Sequence, residues 1–223
     1  MNVRSRKLLF VSCIVKKFNF LLILLVIMYA DMNAQTVLPG EYYLRGVTEV
    51  GSGFLFKPDS TFQFFFSYGA LDREGSGKWK IDGKEIVLNS KPRPAHDFAL
   101  VSSRKTNNDS IIIKVTDNNT LLQRYVYAKA EFADTVTEGM TDEQGEIKFP
   151  EKDLKNLSLV FQFCPEKISV FELNREHNYF EFRFEPWIAE YFFSDFHLKV
   201  DAKGLKGRHP LLDDKEYLFE KRK

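Results

Sequence analysis

Apolar and polar residues alternate in short runs along most of the chain, and Pro, Gly, Asp and Asn punctuate the runs. Between Glu41 and Val50 the even positions hold Tyr42, Leu44 and Val50, while Glu41, Arg45 and Glu49 hold odd ones. That period of two predicts a strand with one buried face. Phe62, Phe64, Phe66 and Tyr68 then share one face with Phe65 on the other, which predicts a central strand, apolar on both sides. Pro58-Asp59 in Lys57-Pro58-Asp59-Ser60 suits a type I turn. Asp82-Gly83 predicts a type I′ hairpin, with positive φ at both residues. Gly40 to Ser90 therefore reads as an antiparallel meander.

The second half alternates in the same way. Ile111, Ile113 and Val115 open it, Asp117-Asn118-Asn119 turns the chain, and Leu121 to Tyr127 forms a return strand. Phe180, Phe182 and Phe184 interleave with Glu181, Arg183 and Glu185, a strand with sharply distinguished faces. Phe192, Phe196, Leu198 and Val200 line another, and Tyr217-Leu218-Phe219 forms the last. Between the halves, Pro92 and Pro94 break sheet pairing. The polar run Ser102 to Asp109 places the boundary between two modules, 35–105 and 106–223.

The first 34 residues follow neither pattern. Arg4, Arg6, Lys7, Lys16 and Lys17 precede an unbroken apolar run from Phe20 to Ala30. A basic start and a short apolar stretch predict a signal helix removed near Ala34, and an exported protein: periplasmic, cell-surface or secreted. Retention as a membrane anchor is the alternative, through that segment alone. Removal of residues 1–34 leaves 27 basic against 30 acidic residues, a net charge of −3, so the surface offers no footprint for nucleic acid.

Gly40-x-Tyr42, the turn Pro58-Asp59-Ser60-Thr61-Phe62, Gly77-x-Trp79 and Ile86-Val87-Leu88 resemble the lipocalin-like meanders of small exported bacterial proteins, over about residues 38–102. That length builds only a half-barrel or open sheet, so the enclosed lipocalin ligand cavity is not carried over. The strand–turn–strand followed by Thr141-Asp142-x-x-Gly145-x-x-x-Phe149 resembles carboxypeptidase regulatory-like or transthyretin-like modules, over about 110–222. Asn119-Thr120 departs from the Gly-x-Pro usual there. This resemblance implies an auxiliary, non-catalytic Ig-like β-sandwich. The expected fold class is thus all-β: a small antiparallel meander or half-barrel plus an Ig-like sandwich, after a signal helix.

Candidate chemistry is sparse. His197 shares a strand face with Asp195 and Asp201, a set a metal ion uses, but a mixed-charge solvent face explains it as well. His177 and Glu181 are four apart on a strand, where that spacing has no zinc-binding meaning. His96 and His209 sit beside prolines and read as solvent residues. Cys164, alone after export, has no local base to activate it. No catalytic residue, metal or cofactor is assigned. The 22 phenylalanines are the unusual feature. They suit a seam between modules or a surface for an apolar ligand, with Phe62, Phe64, Phe65, Phe66 and Trp79 as the candidate ligand-binding set. The expected function is non-catalytic binding or structural support, with a protein or apolar small molecule as partner. A carrier of a small apolar ligand and an unrecognised hydrolase or metal enzyme are the alternatives.

Overall fold

Five consecutive strands fold along the first stretch: β1 (Gly40–Leu44), β2 (Val50–Phe56), β3 (Thr61–Tyr68), β4 (Leu71–Asp82) and β5 (Glu85–Asn89). They belong to a computed structural model that describes residues 38–150 and 153–222. The expected signal helix lies outside those residues. Phe62, Phe64 and Phe66 of β3 are buried while Gln63 and Phe65 between them are exposed, as the alternation requires, but Tyr68 at the strand's end is exposed and departs from the face it was expected to share. At the β2–β3 turn, Ser60 N–H donates to the Lys57 carbonyl (3.2 Å). The Asp59 carboxylate receives Thr61 N–H and Oγ1–H at 3.0 and 2.6 Å. The β4–β5 hairpin departs from expectation: Asp82 pairs with Glu85, so Gly83 and Lys84 are the central turn residues, and of these only Gly83 has positive φ, so the turn is not type I′.

The meander does not stop as a half-barrel. Three further strands, β14 (Phe196–Asp201), β15 (Gly204–Arg208) and β16 (Glu216–Lys221), close it into an eight-stranded antiparallel barrel. β14 pairs with β5, setting Leu198 opposite Ile86 and Phe196 opposite Leu88. β16 pairs with β1, setting Phe219 opposite Leu44 and Lys221 opposite Tyr42. This corrects the half-barrel expectation and departs from a division at residue 105, because barrel strands come from both ends of the described chain. The physical reason is simple. A strand's alternation states which face is buried but not which strand lies beside it.

Between β5 and β14 the chain builds eight strands: β6 (Phe98–Arg104), β7 (Ile111–Thr116), β8 (Val126–Glu131), β9 (Val136–Met140), β10 (Glu146–Phe149), β11 (Asn156–Phe161), β12 (Ser169–Glu172) and β13 (Tyr179–Phe184). They form two four-stranded sheets, ordered β10-β7-β13-β6 and β12-β11-β8-β9. Ile113, Val115, Phe180 and Phe182 of the first sheet share one core with Ala128, Leu157 and Leu159 of the second. Phe98 and Phe184 are register partners, so the chain enters and leaves this unit at adjacent points. The turn at Asp142 is a plain one: its carboxylate accepts Gln144 N–H (2.9 Å) and Glu146 N–H (2.8 Å).

Two connecting segments form a stitched neck between unit and barrel. Ser90 N–H donates to the Phe193 carbonyl (2.8 Å), and Phe193 N–H returns to Ser90 Oγ (3.0 Å). Glu185 N–H donates to the Asp97 carbonyl (3.0 Å), and Trp187 Nε1–H to that of His96 (3.0 Å). Arg73 of β4 adds a side-chain clamp. Its guanidinium, 1% exposed, meets both oxygens of Glu166 in the two-sheet unit at 3.0 and 3.2 Å. Its Nε–H donates to the Ala189 carbonyl at 2.9 Å. Paired planar geometry of this kind fixes orientation as well as supplying attraction.

Candidate functional site: a cleft on the outer barrel wall

The five candidate aromatics part company in the structure. Phe62, Phe64 and Phe66 are buried in the barrel. Phe62 and Phe64 pack with Phe54 and Phe193 at centroid separations of 5.0–6.5 Å. Trp79 packs edge-on to Phe56 at 6.0 Å and donates Nε1–H to the Lys57 carbonyl at 3.2 Å. These rings fill the interior. Phe65 alone points outward, 41% exposed, and it faces solvent rather than a seam with the two-sheet unit.

Register explains what surrounds Phe65. Across the outer wall it lies opposite Gly53 on one side and Glu74 on the other. Gly53 is opposite Tyr43, and Glu74 is bridged to Glu190 of the returning neck segment. The transverse row therefore reads Tyr43, Gly53, Phe65, Glu74, Glu190. A Cβ at residue 53 would collide with the Tyr42 carbonyl and press 3.0 Å from the Phe65 ring, so glycine makes room there for the close approach of that ring. Tyr43 meets Phe65 edge-on at 6.0 Å. The neighbouring row carries Glu41, Leu55, Gln63 and Ser76.

Together the two rows line a cleft of 460 Å³, within the size range of small-molecule sites. Glu41 is tied down by Tyr43 Oη–H (3.0 Å) and Arg222 (2.9 Å). The Arg222 hydrogen bond, followed by that from Tyr43, holds its carboxyl below the usual range. Glu190 meets Lys91 at 3.5 Å, and Glu74 has no ion-pair partner among the described residues. A second cleft lined by Lys57, Lys78 and Lys91 continues beyond Gln63 and Ser76.

Two histidines depart from the solvent reading. His96 stacks on Phe171 at 4.6 Å. His209 is 3% exposed and stacks on Phe219. Its Nδ1 accepts Leu211 N–H (3.0 Å), which leaves the ring proton on Nε2, 2.9 Å from Ser52 Oγ. Ser52 donates onward to the Phe65 carbonyl at 2.9 Å, so this chain of bonds runs from the barrel interior to the backbone of the cleft. Burial lowers the His209 pKa from 6.5 to about 4.

A neutral folded ring and a protonatable unfolded one make stability rise with pH between those values. His209 should contribute fully above pH ~6.5 and lose up to about 3 kcal/mol as pH falls to ~4, at 1.36 kcal/mol per unit. Urea unfolding from pH 7.5 to 4.5 should show this slope, and His209→Gln should flatten it. An unchanged slope in the variant refutes the assignment. His197 has the opposite sign, since Glu85 at 2.8 Å and Asp195 at 3.4 Å raise its pKa. Its contribution is present below the unfolded pKa and lost as pH rises through the raised one.

Other candidate groups are engaged structurally. The partners of His197 are Glu85 and Asp195, not Asp201. His177 Nδ1 lies 2.9 Å from Ser103 Oγ. Burial pushes the Cys164 thiol up to about 11, which keeps it protonated and unreactive at neutral pH. Sequence reasoning picked Phe65 but missed Tyr43, Glu74 and Glu190, which only the register brings beside it.

No protein-family model, curated protein or solved structure matches the chain.

Proposed function

We propose that the chain is an exported, non-catalytic binding protein whose barrel is a scaffold, with ligand contact made at the outer cleft around Phe65. One observation carries the reading. The barrel interior is filled by packed rings, whereas one aromatic side chain is held outward over a glycine, at the wall of a small-molecule-sized cleft. Exposing a large ring costs hydrophobic stabilisation of ~1.5–3 kcal/mol relative to burying it, and a bound ligand recovers that contact. The barrel continues the resemblance to lipocalin-like proteins, with the contact moved from inside to outside. The two-sheet unit is an Ig-like sandwich in this reading, presented by the neck. Cys164, His177, His197 and His209 support a non-catalytic role, because each is buried, stacked or hydrogen-bonded into the framework.

Native mass spectrometry of protein purified from its own secreted or envelope fraction tests both parts. A co-purifying small molecule is expected on the wild type and absent from Phe65→Ala, whose fold is retained. A molecule held equally by both proteins refutes the cleft. The same material should begin near Gln35. An intact Met1 in membranes that resist carbonate extraction contradicts cleavage.

A further inference from the structure

We infer that the outer cleft binds a small organic cation, an alkylammonium head group, a conclusion that rests on the cleft being the ligand site. Three features of the transverse row point the same way. First, Phe65 offers an exposed ring braced at its edge by Tyr43. An aromatic face attracts a cation through its quadrupole, and attracts it more strongly than an uncharged group of the same shape.

Second, the strand position directly opposite Phe65 is Glu74, and the residue bridged to Glu74 is Glu190. Two carboxylates set side by side across a β-bridge repel each other and weaken the pairing. Here they cap the edge of β4, where the returning segment docks through Glu74 N–H to Ala189 O and Tyr191 N–H to Glu74 O. Both side chains line the cleft, so two acidic groups and the Phe65 ring face the same space. A cation there is attracted by the carboxylates and by the ring.

Third, the protein's own cations leave the pair incompletely answered. Lys91 reaches Glu190 only at 3.5 Å and is shared with the Phe192 ring, while Arg73 is turned to Glu166. Arg222 is occupied by Glu41 at 2.9 Å. The space beside Glu74 and Phe65 thus combines a π face with one carboxylate, Glu74, that has no ion-pair partner among the described residues, while the lysines of the adjoining cleft lie beyond Gln63 and Ser76. An ammonium group with apolar substituents matches both, because its methyl or methylene groups lie on Phe65 and Leu55 while its charge meets Glu74. A neutral apolar ligand leaves the carboxylates facing it without a partner, which costs affinity.

The test compares choline with 3,3-dimethylbutan-1-ol, its uncharged analogue of the same shape, by NMR titration of the full secreted chain. Choline should shift Phe65 and Tyr43 resonances saturably, with the alcohol weaker by about tenfold or more. Glu74→Gln and Phe65→Leu should each weaken choline by at least about fivefold, and Lys91→Gln should strengthen it. Added salt should weaken it too. An alcohol that binds as tightly as choline, or a Glu74→Gln variant with unchanged affinity, overturns the cationic ligand and leaves the cleft as a site for neutral molecules. If neither probe shifts the Phe65 and Tyr43 resonances, the inference is refuted, and the co-purification experiment then decides the cleft separately.

Discussion

Replacing Glu166 by alanine is expected to destabilise the protein by about 3 kcal/mol, although Glu166 is itself 29% exposed. The cost arises at its partner. Arg73 would keep its charge at a position almost sealed from water, with the Ala189 carbonyl as its good remaining acceptor at 2.9 Å and the Phe163 carbonyl only at 3.5 Å. A buried charge without its counter-charge is far worse placed than a buried pair. A stranded charge produces an asymmetry that a simple lost contact does not. Arg73→Met in the Glu166→Ala background should recover part of the loss, since it removes the stranded charge. Urea unfolding of the two single variants and the double variant closes the cycle. Additive costs, or a Glu166→Ala cost below about 1 kcal/mol, would sink the account.

Phe193→Ala should cost as much or more, about 3–5 kcal/mol. This residue precedes β14, yet its side chain reaches into the barrel, 3% exposed, among Phe54, Phe62 and Phe64 at 6.0, 5.1 and 5.3 Å. Its backbone is half of the neck, bonded both ways to Ser90. Removing the ring opens a cavity that the surrounding strands are too constrained to collapse, and it slackens the neck as well. Phe65→Ala is the internal control. It removes the same ring from the outer wall, and the loss should stay within about 1 kcal/mol. Equal costs at the two positions would mean that the rings do not divide into inside and outside as described.

The alternation placed the buried face of β3 at Phe62, Phe64 and Phe66, because a strand shows its own buried side through side chains two residues apart, but the single strand read over Glu41 to Val50 divides into β1 and the start of β2, and Tyr68 is exposed. Phe180, Phe182 and Phe184 were equally legible, and all three are buried. What was hidden is partnership. β14 reads as a strand in the sequence, but nothing in its residues says that β5, more than a hundred positions earlier, lies beside it. Burial of loop residues is hidden for the same reason. His209 owes its shielding largely to Ser52, Phe64 and Phe66, which come from the far end of the chain. Arg73 sits in the polar run Asp72-Arg73-Glu74 and looks solvent-bound until it is placed opposite Phe66, on the inward register. The cleft was half legible. An odd phenylalanine on an otherwise polar face is visible in a sequence, whereas the carboxylates that give it chemistry arrive from strands and segments elsewhere.

The joining of β14–β16 to β1 and β5 also sets an order of events. During synthesis, the first five strands appear with two open edges and a row of uncovered phenylalanines. They must wait for roughly a hundred residues before those edges can be satisfied. Closing so long a loop is entropically unfavourable and makes folding slow. The two-sheet unit shortens the wait, because Phe98 and Phe184 meet within it and bring the ends of the gap side by side. Once folded, it acts as a clasp that presents β14 to β5. Folding should therefore proceed from the middle of the chain outward, with the strands made last sealing those made first.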